Sequence, residues 1–184
     1  FGIQHINIKP YDFSRTINRF FQNIALDEPA GRYPKYLLWT QTYWTPVGTG
    51  NARSQALFNE EGMVEIGKGA CSIEPFLFSD GRLITWADAA LHQELMSGYL
   101  PIPSSEWLTD RLIMKITAFA ADVHSAQVLY ICYRIENTAK DQQKIRLYTA
   151  IRPFQVTPLW QNWRAFGGVT AVQSIFWAEN TVRI

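Results

Sequence analysis

Alternation of apolar and polar residues over three long consecutive segments is the feature that most constrains this chain. It runs through Arg111–Ala120, Val128–Glu136 and Lys144–Arg152, each with a period of two. Because successive side chains of a strand point to opposite faces, each segment is predicted to be a strand with one buried face. Such strands in succession are typical of antiparallel sheets packed face to face. We therefore predict a mainly β chain, an antiparallel β-sandwich, with the buried positions Ile116, Ile131, Tyr133, Leu147 and Ile151.

Shorter apolar runs earlier in the chain predict further strands. They are separated by loops rich in glycine and polar residues, and Asp80-Gly81 is a pair preferred in tight hairpin turns. The polar stretch from Asn137 to Gln143 predicts another hairpin, between the last two long strands. The shorter predicted strands are Tyr36–Trp44, Met63–Ile66, Cys71–Phe78, Leu83–Trp86 and Ala87–Met96.

One amphipathic helix is predicted near the N-terminus, from Asp12 to Leu26. Asp12 is suited to cap it, because a short polar side chain accepts hydrogen bonds from the free N–H groups of the first turn. Pro29 then interrupts the pattern. Apolar residues recur at helical spacing and predict one buried face, made of Phe13, Ile17, Phe20, Phe21 and Ile24.

Composition indicates one globular domain spanning residues 1–184. The chain is 47% hydrophobic with a net charge of +1, and a chain of this length buries about 70% of its unfolded surface in one core. Its scattered lysines and arginines favour no nucleic acid partner, and no apolar run reaches the roughly 18 residues of a membrane span. Since the sequence starts at Phe1 and Val182–Ile184 reads as a strand in progress, we expect a fragment of a longer protein.

Signatures of metal, cofactor and nucleophile sites are absent from the sequence. The three histidines lie far apart without a second ligand at metal spacing, and no nucleophile elbow or complete phosphate-binding glycine pattern occurs. We expect no metal and no cofactor. The two cysteines, Cys71 and Cys132, match no metal or redox spacing and are expected to be buried thiols, with a disulfide as the alternative.

The sequence leaves open a pair of catalytic carboxylates of the glycosidase kind, because such residues come from distant parts of a chain and meet only in the fold. Each available carboxylate is first expected to be a solvated surface charge. Glu106, next to Trp107 in a predicted loop, is the best single candidate for chemistry. The available carboxylates are Glu60, Glu61, Glu65, Glu74, Asp88, Glu94, Glu106 and Asp110.

Aromatic rings and planar polar groups are concentrated between Ile151 and Val172, where a strand leads into a loop and a Gly-Gly turn. A ring face stacks on the C–H face of a pyranose while amide or guanidinium groups bond its hydroxyls. The alternative is that the indoles cover one end of the core, since tryptophan is usually mostly buried. Tyr43-Trp44 is a second, weaker candidate. The predicted substrate-binding residues are Gln155, Trp160, Gln161, Trp163 and Arg164.

Five strand-and-turn motifs carry a resemblance to a known family. The chain from about residue 60 to 177 resembles the N-terminal β-sandwich domain, of the supersandwich type, in bacterial six-hairpin glycosidase-like proteins. In that family the catalytic carboxylates belong to an α-helical barrel that follows the sandwich, so the resemblance assigns no catalytic residue here. The motifs are Leu83–Asp88, Gly98–Pro103, Ile116–Ala120, Tyr133–Asn137 and Ala150–Val156.

Three hypotheses follow for function. The leading one is a non-catalytic sandwich domain of a carbohydrate-processing protein, either a glycoside hydrolase or a phosphorylase-like enzyme. Its partners would be the helical catalytic domain of the same protein and an oligosaccharide. The alternatives are a self-sufficient carbohydrate-binding module and a small glycosidase that uses paired carboxylates on a sandwich face.

Overall fold

A computed structural model describes residues 16–50, 54–124, 126–163 and 166–184. The chain forms two antiparallel sheets that face each other, confirming the predicted mainly β fold and its sandwich-like arrangement. A third layer covers the outer face of the larger sheet. This layer combines the helix with loop segments that follow it and that come from the end of the sandwich.

The large sheet has six strands in the order β1-β2-β3-β4-β10, with β5 paired to β4 as well. Asp80 and Gly81 both adopt positive φ in the β4–β5 turn, as the predicted tight hairpin requires. The strands are β1 (Trp44–Val47), β2 (Ala56–Asn59), β3 (Val64–Glu65), β4 (Ser72–Ser79), β5 (Arg82–Ile84) and β10 (Ile145–Arg152).

The small sheet has four strands in sequence order, and its segment Ala87–Met96 contains the predicted strand after a short 3-10 turn at Trp86–Asp88. A separate hairpin, β11 (Phe176–Ala178) and β12 (Thr181–Arg183), follows the sandwich. The strands of the small sheet are β6 (Ala90–Leu95), β7 (Pro103–Leu108), β8 (Leu112–Val123) and β9 (Ala126–Asn137).

The core between the sheets is apolar and centred on β8. Its alternate residues Met114, Ile116 and Ala118 are fully buried, and they pack against Phe58 and Leu77 of the large sheet. At about 25 cal/mol per Å² of apolar surface, this burial is the main source of stability for the sandwich. The period-two pattern of the sequence therefore identified the centre of the core correctly.

The predicted hairpin between β9 and β10 is wrong. The chain leaves the small sheet after Asn137, and β10 pairs with β4 of the large sheet instead. Leu147 shares the inner face with its partner Leu77, but it lies on an edge strand and is 37% exposed. Ile151 is half-buried.

Burial of the five predicted core residues is therefore uneven. Ile116 is fully enclosed because β8 has a neighbour on both sides. Ile131 and Tyr133 on the edge strand β9 contact the core but are only half-buried. The alternation reports which face a residue points to, whereas the position of its strand in the sheet decides how fully it is covered.

The predicted strand Tyr36–Trp44 is mostly wrong. Lys35–Leu38 forms a 3-10 helix that ends at Trp39, and only Trp44 belongs to a strand. Tyr36 and Leu37 are both buried in the third layer. A half-buried strand covers alternate residues, whereas this turn buries two adjacent ones. The aromatic composition of the run does not distinguish these two cases.

The helix α1 runs from Ile17 to Asp27, and the Thr16 side chain caps it by accepting a hydrogen bond from Arg19 N–H at 3.3 Å. The predicted cap Asp12 lies outside the described residues. The predicted buried face is only partly covered: Phe21 packs on the third layer and Ile24 is half-buried, while Ile17 and Phe20 are exposed. Phe13 lies outside the described residues, and the buried residue of the helix is Ala25, which was not predicted.

The cysteines are both free: Cys71 is buried as predicted, whereas Cys132 is exposed on the outer face of β9, so the prediction of a buried thiol is wrong there. Within the described residues, no helix is long and apolar enough to cross a membrane.

Candidate functional site

The outer face of the large sheet buries four carboxyl groups, which corrects their interpretation as surface charges. Removing an ionised carboxylate from water is costly unless cations or hydrogen-bond donors replace the solvent. Each of the four has at least one such partner within the described residues. All are less than a tenth exposed; they are Glu60, Glu61, Glu65 and Glu74.

Arg152 at the end of β10 neutralises Glu74. Its Nε–H donates to Glu74 Oε1 at 3.0 Å, and Nη2 pairs with Oε2 in the two-pronged geometry that favours arginine over lysine. The guanidinium carbon also lies 4.9 Å from the ring centroid of Phe154. Its Nη1 donates to the carbonyl of Arg32 at 2.6 Å, so this one side chain links the sheet to the third layer.

Lys35 of the third layer contacts both Glu60 and Glu61. The Lys35 ammonium pairs with Glu60, and the Lys35 backbone N–H donates to Glu61 Oε1 at 3.2 Å. Burial, with the nearby carboxylates of Glu74 and Glu60, raises the pKa of Glu61 to about 8. Glu61 is therefore protonated at neutral pH, which reduces the repulsion within the cluster.

Glu65 on β3 joins two loops. Its Oε1 accepts from Gly69 N–H at 2.7 Å and its Oε2 accepts from Val156 N–H at 2.8 Å. Burial raises the pKa of Glu65 although these backbone donors act to lower it. The carboxylate thus fixes the segment that follows β10 against the β3–β4 turn, and both positions border the cavity described next.

A cavity of about 680 Å³ opens beside Glu65, and we call it the Gln155 cavity. Gln155 is only 9% exposed; its backbone N–H donates to Gly168 C=O at 2.7 Å, yet its side-chain amide makes no hydrogen bond within the part of the chain that the structure describes. The amide atoms are nevertheless not sealed from solvent. A buried amide normally finds partners, so this one offers a donor and an acceptor to whatever enters the cavity.

Aromatic and polar side chains complete the walls. Trp44 and Phe166 line the cavity together with Asn162, whose amide donates to the Thr157 hydroxyl at 3.3 Å. Phe166 is 53% exposed, and the ammonium of Lys68 lies 5.4 Å from its ring centroid. Mostly apolar walls with a few fixed polar groups are typical of small-molecule sites.

The residues of the loop predicted to bind sugar lie in different environments. Gln155 lines the cavity, but Gln161 is occupied: its amide accepts from Thr42 N–H and donates to Thr42 C=O, both at 2.8 Å. Trp160 is 47% exposed and Trp163 is 84% exposed, although neither lines the Gln155 cavity. Arg164 lies outside the described residues. The exposed indoles meet the requirement for ring stacking, and their contact with sugar stays a prediction.

The Gly167-Gly168 turn closes the loop. Gly168 has a φ of +79°, and a Cβ there would lie 2.0 Å from Asn18 Oδ1 of the helix. Its carbonyl accepts from the Tyr36 hydroxyl at 3.0 Å, and Val169 N–H donates to Asn18 Oδ1 at 2.8 Å. Directly after the turn, Val169 forms an isolated bridge to Phe154.

Sequence reasoning missed Glu65 as part of the site. A glutamate inside the short apolar run Met63–Ile66 was a usable signal, because a strand buried on both faces must pair any charge that it contains. The Tyr43-Trp44 pair was recognised, and Trp44 does line the cavity.

The other candidate catalytic and metal-binding residues do not form a site among the described residues. Glu106 lies on β7, not in a loop, and pairs with Lys115 at 3.3 Å. Among the described residues, no group of three histidine, cysteine, aspartate or glutamate side chains is placed to hold a metal ion.

The fold and site of the described residues define a sandwich with a covered outer face and a mixed polar and aromatic cavity beside Glu65. Comparisons with protein-family models, with curated proteins and with solved structures found no match to this chain.

Proposed function

We propose that this chain is a non-catalytic β-sandwich domain of a carbohydrate-processing protein, and that it holds a saccharide in the Gln155 cavity. The observation that carries the proposal is the amide of Gln155. The residue is nine-tenths buried and lines the cavity, and its side-chain amide has no hydrogen-bond partner among the described residues.

The chemistry of the walls suits a sugar. A pyranose presents apolar C–H faces and a belt of hydroxyls that both donate and accept. Trp44 and Phe166 provide apolar surface, while the amides of Gln155 and Asn162 provide donors and acceptors on the same cavity. The Glu65 carboxylate is held by two backbone N–H groups, so it shapes the floor and has little capacity left to act as an acid or base.

The sandwich also has a surface suited to the proposed helical barrel. β10 is an edge strand of the large sheet within the described residues, and edge strands are usually protected from solvent or partners. Leu147 and Tyr148 on this strand are 37% and 49% exposed, on opposite faces. A helical domain of the same protein packed along β10 would cover both side chains.

Binding is tested by calorimetric titration with gluco-, galacto- and manno-oligosaccharides. We expect a millimolar or tighter dissociation constant for one class, and about two- to tenfold weaker binding for Phe166→Ala, because a lost ring contact costs about 0.5–1.5 kcal/mol. Phe176→Ala is a matched control, since Phe176 is 51% exposed on β11 and does not line the cavity. Absence of heat with every sugar at millimolar concentration would reject the cavity as a saccharide site.

Two further measurements separate this proposal from its alternatives. Purified chain should not hydrolyse aryl glycosides or oligosaccharides, and turnover that a Glu106→Gln change abolishes would favour a small glycosidase. A full reading frame that continues into a helical region supports the sandwich domain, whereas one that ends near Ile184 favours a self-sufficient binding module.

A further inference from the structure

A second cavity, of about 310 Å³, lies where the start of α1 meets the loop before Gly168. We call it the Trp39 cavity. Trp39 and Trp160 both line it, and their side chains are 59% and 47% exposed. The loop from Thr157 to Gly168 therefore contributes to two cavities, with Phe166 in one and Trp160 in the other.

The backbone at Trp39 is unfavourable for its residue. Trp39 ends the 3-10 helix with a φ of 61° and a ψ of 20°, a left-handed conformation that glycine or asparagine normally adopts. A bulky residue at positive φ is an outlier that needs a reason. Burial does not supply the reason, because the side chain is more than half exposed. The backbone supplies it, because Trp39 N–H caps the 3-10 helix by donating to Tyr36 C=O at 3.1 Å, and this cap holds the exposed indole on a fixed turn.

Polar groups of α1 complete the cavity. Arg19 and Gln22 line it, and Arg19 Nη1 donates to Gln22 Oε1 at 3.3 Å. This is the one side-chain hydrogen bond of Arg19 within the described residues, so the other guanidinium N–H groups are available to a ligand. None of the described residues that line the cavity is acidic.

We propose that Trp39 and Trp160 form a second saccharide subsite, with Arg19 and Gln22 donating to the sugar hydroxyls. Two exposed indoles in one concave surface match the apolar faces of a pyranose. A cationic ligand is disfavoured by Arg19 and by the lack of a carboxylate in the lining. The choice of a saccharide rests on the proposed function, but the residues are distinct from those of the Gln155 cavity.

The subsite is tested by nuclear magnetic resonance on protein labelled with ¹⁵N, following the indole N–H signals and the side-chain amide signal of Gln155. The probes are the same gluco-, galacto- and manno-oligosaccharides. Trp39→Gly and Trp160→Ala identify the two indole signals. We expect both signals to shift saturably with one sugar class. Removal of either ring should raise the dissociation constant measured from the signal of the other ring at least tenfold.

Two variants show whether the effect is local. Phe166→Ala, in the other cavity, and Trp177→Ala, on the 68% exposed ring of β11, should leave the Trp39 and Trp160 responses unchanged. Trp39→Gly should keep the thermal unfolding midpoint within about 4 °C of the parent, because glycine accepts the left-handed backbone. A larger fall would mean that Trp39 is a structural residue and would overturn the subsite.

The outcomes distinguish the two proposals. Shifts of Gln155 without shifts of Trp39 or Trp160 would reject the second subsite and leave the proposed function intact. Shifts of the indoles without Gln155 would support the subsite and reject the Gln155 cavity. No shift of any of these signals at millimolar sugar would reject both.

Discussion

The two faces of the large sheet are built on different principles. Its inner face packs on the small sheet through apolar side chains such as Phe58 and Leu77, and the Tyr133 side chain also contacts this core. Its outer face buries four carboxyl groups with Lys35 and Arg152 under the third layer. The inner face holds the sandwich together by non-directional burial, whereas the outer face depends on specific pairs.

This difference determines where the molecule can form a ligand site. Close packing of apolar side chains leaves few voids, and the buried cluster between the sheets is apolar among the described residues. On the outer face, hydrogen bonds of Glu65 and Gly168 hold loops at defined positions over the sheet. Both candidate cavities lie in that layer.

The largest expected effect comes from breaking the main pair of the outer face. Arg152→Ala should lower the free energy of unfolding by about 3–5 kcal/mol, because it leaves Glu74 buried without its cation. The double variant Arg152→Met with Glu74→Leu removes both charges and should recover most of the loss. Urea unfolding measures both. Equal losses in the single and double variants would show that packing, not charge, dominates at this position.

Replacing a residue of the inner face should act through volume alone. Ile116→Ala should cost about 2–5 kcal/mol, since Ile116 is fully buried at the centre of the core. Ile131→Ala should cost less than half as much as Ile116→Ala, because the edge strand leaves Ile131 half-exposed. Comparable losses in the unfolding experiment would contradict the description of β9 as a thinly covered edge.

The outer face should make stability depend on pH. The pKa of Glu61 is about 8 in the folded chain and near 4.5 when unfolded, so the folded state binds more protons between these values. Stability contributed by the protonated Glu61 is therefore complete below about pH 4.5 and is lost as the pH rises through 8. Glu65 has a raised pKa and acts in the same direction.

Glu61→Gln isolates this dependence, because a neutral amide has nearly the shape of the protonated carboxyl. Denaturant unfolding of the parent and the variant should show the parent losing more stability between pH 5 and 8.5. The Lys35, Glu60 and Glu74 charges that face Glu61 remain in both proteins. Parallel curves for the two proteins would mean that Glu61 is ionised and satisfied at neutral pH.

The smallest expected effects come from removing the hydroxyl groups of two tyrosines. Tyr36 of the outer layer donates to the Gly168 carbonyl, so Tyr36→Phe should cost about 0.5–1.5 kcal/mol. The hydroxyl of Tyr133 is buried and has no partner among the described residues, and burial raises its pKa to about 12. Tyr133→Phe should therefore be neutral or slightly stabilising by thermal unfolding. A clear loss for Tyr133→Phe would reveal a hydrogen bond to that hydroxyl.

The sequence predicted the elements that depend on local pattern. β8 and β9 are long enough for the period of two to be unambiguous, and Asp80-Gly81 has a backbone preference of its own. The N-terminal helix was also predictable from its apolar spacing. The resemblance to six-hairpin glycosidase-like sandwich domains and the sugar contacts of Trp160 and Trp163 stay predictions.

The sequence by itself determined that the chain is mainly β and which residues of β8 point inward, because pleating converts alternation directly into two faces. Only the tertiary structure decided that β10 joins β4, that Tyr36 lies in a turn, and that Glu61, Glu65 and Glu74 are buried together. These outcomes depend on contacts between residues far apart in the chain. A glutamate reads the same in a sequence whether water or Arg152 satisfies it, and only the fold determines which partner it meets.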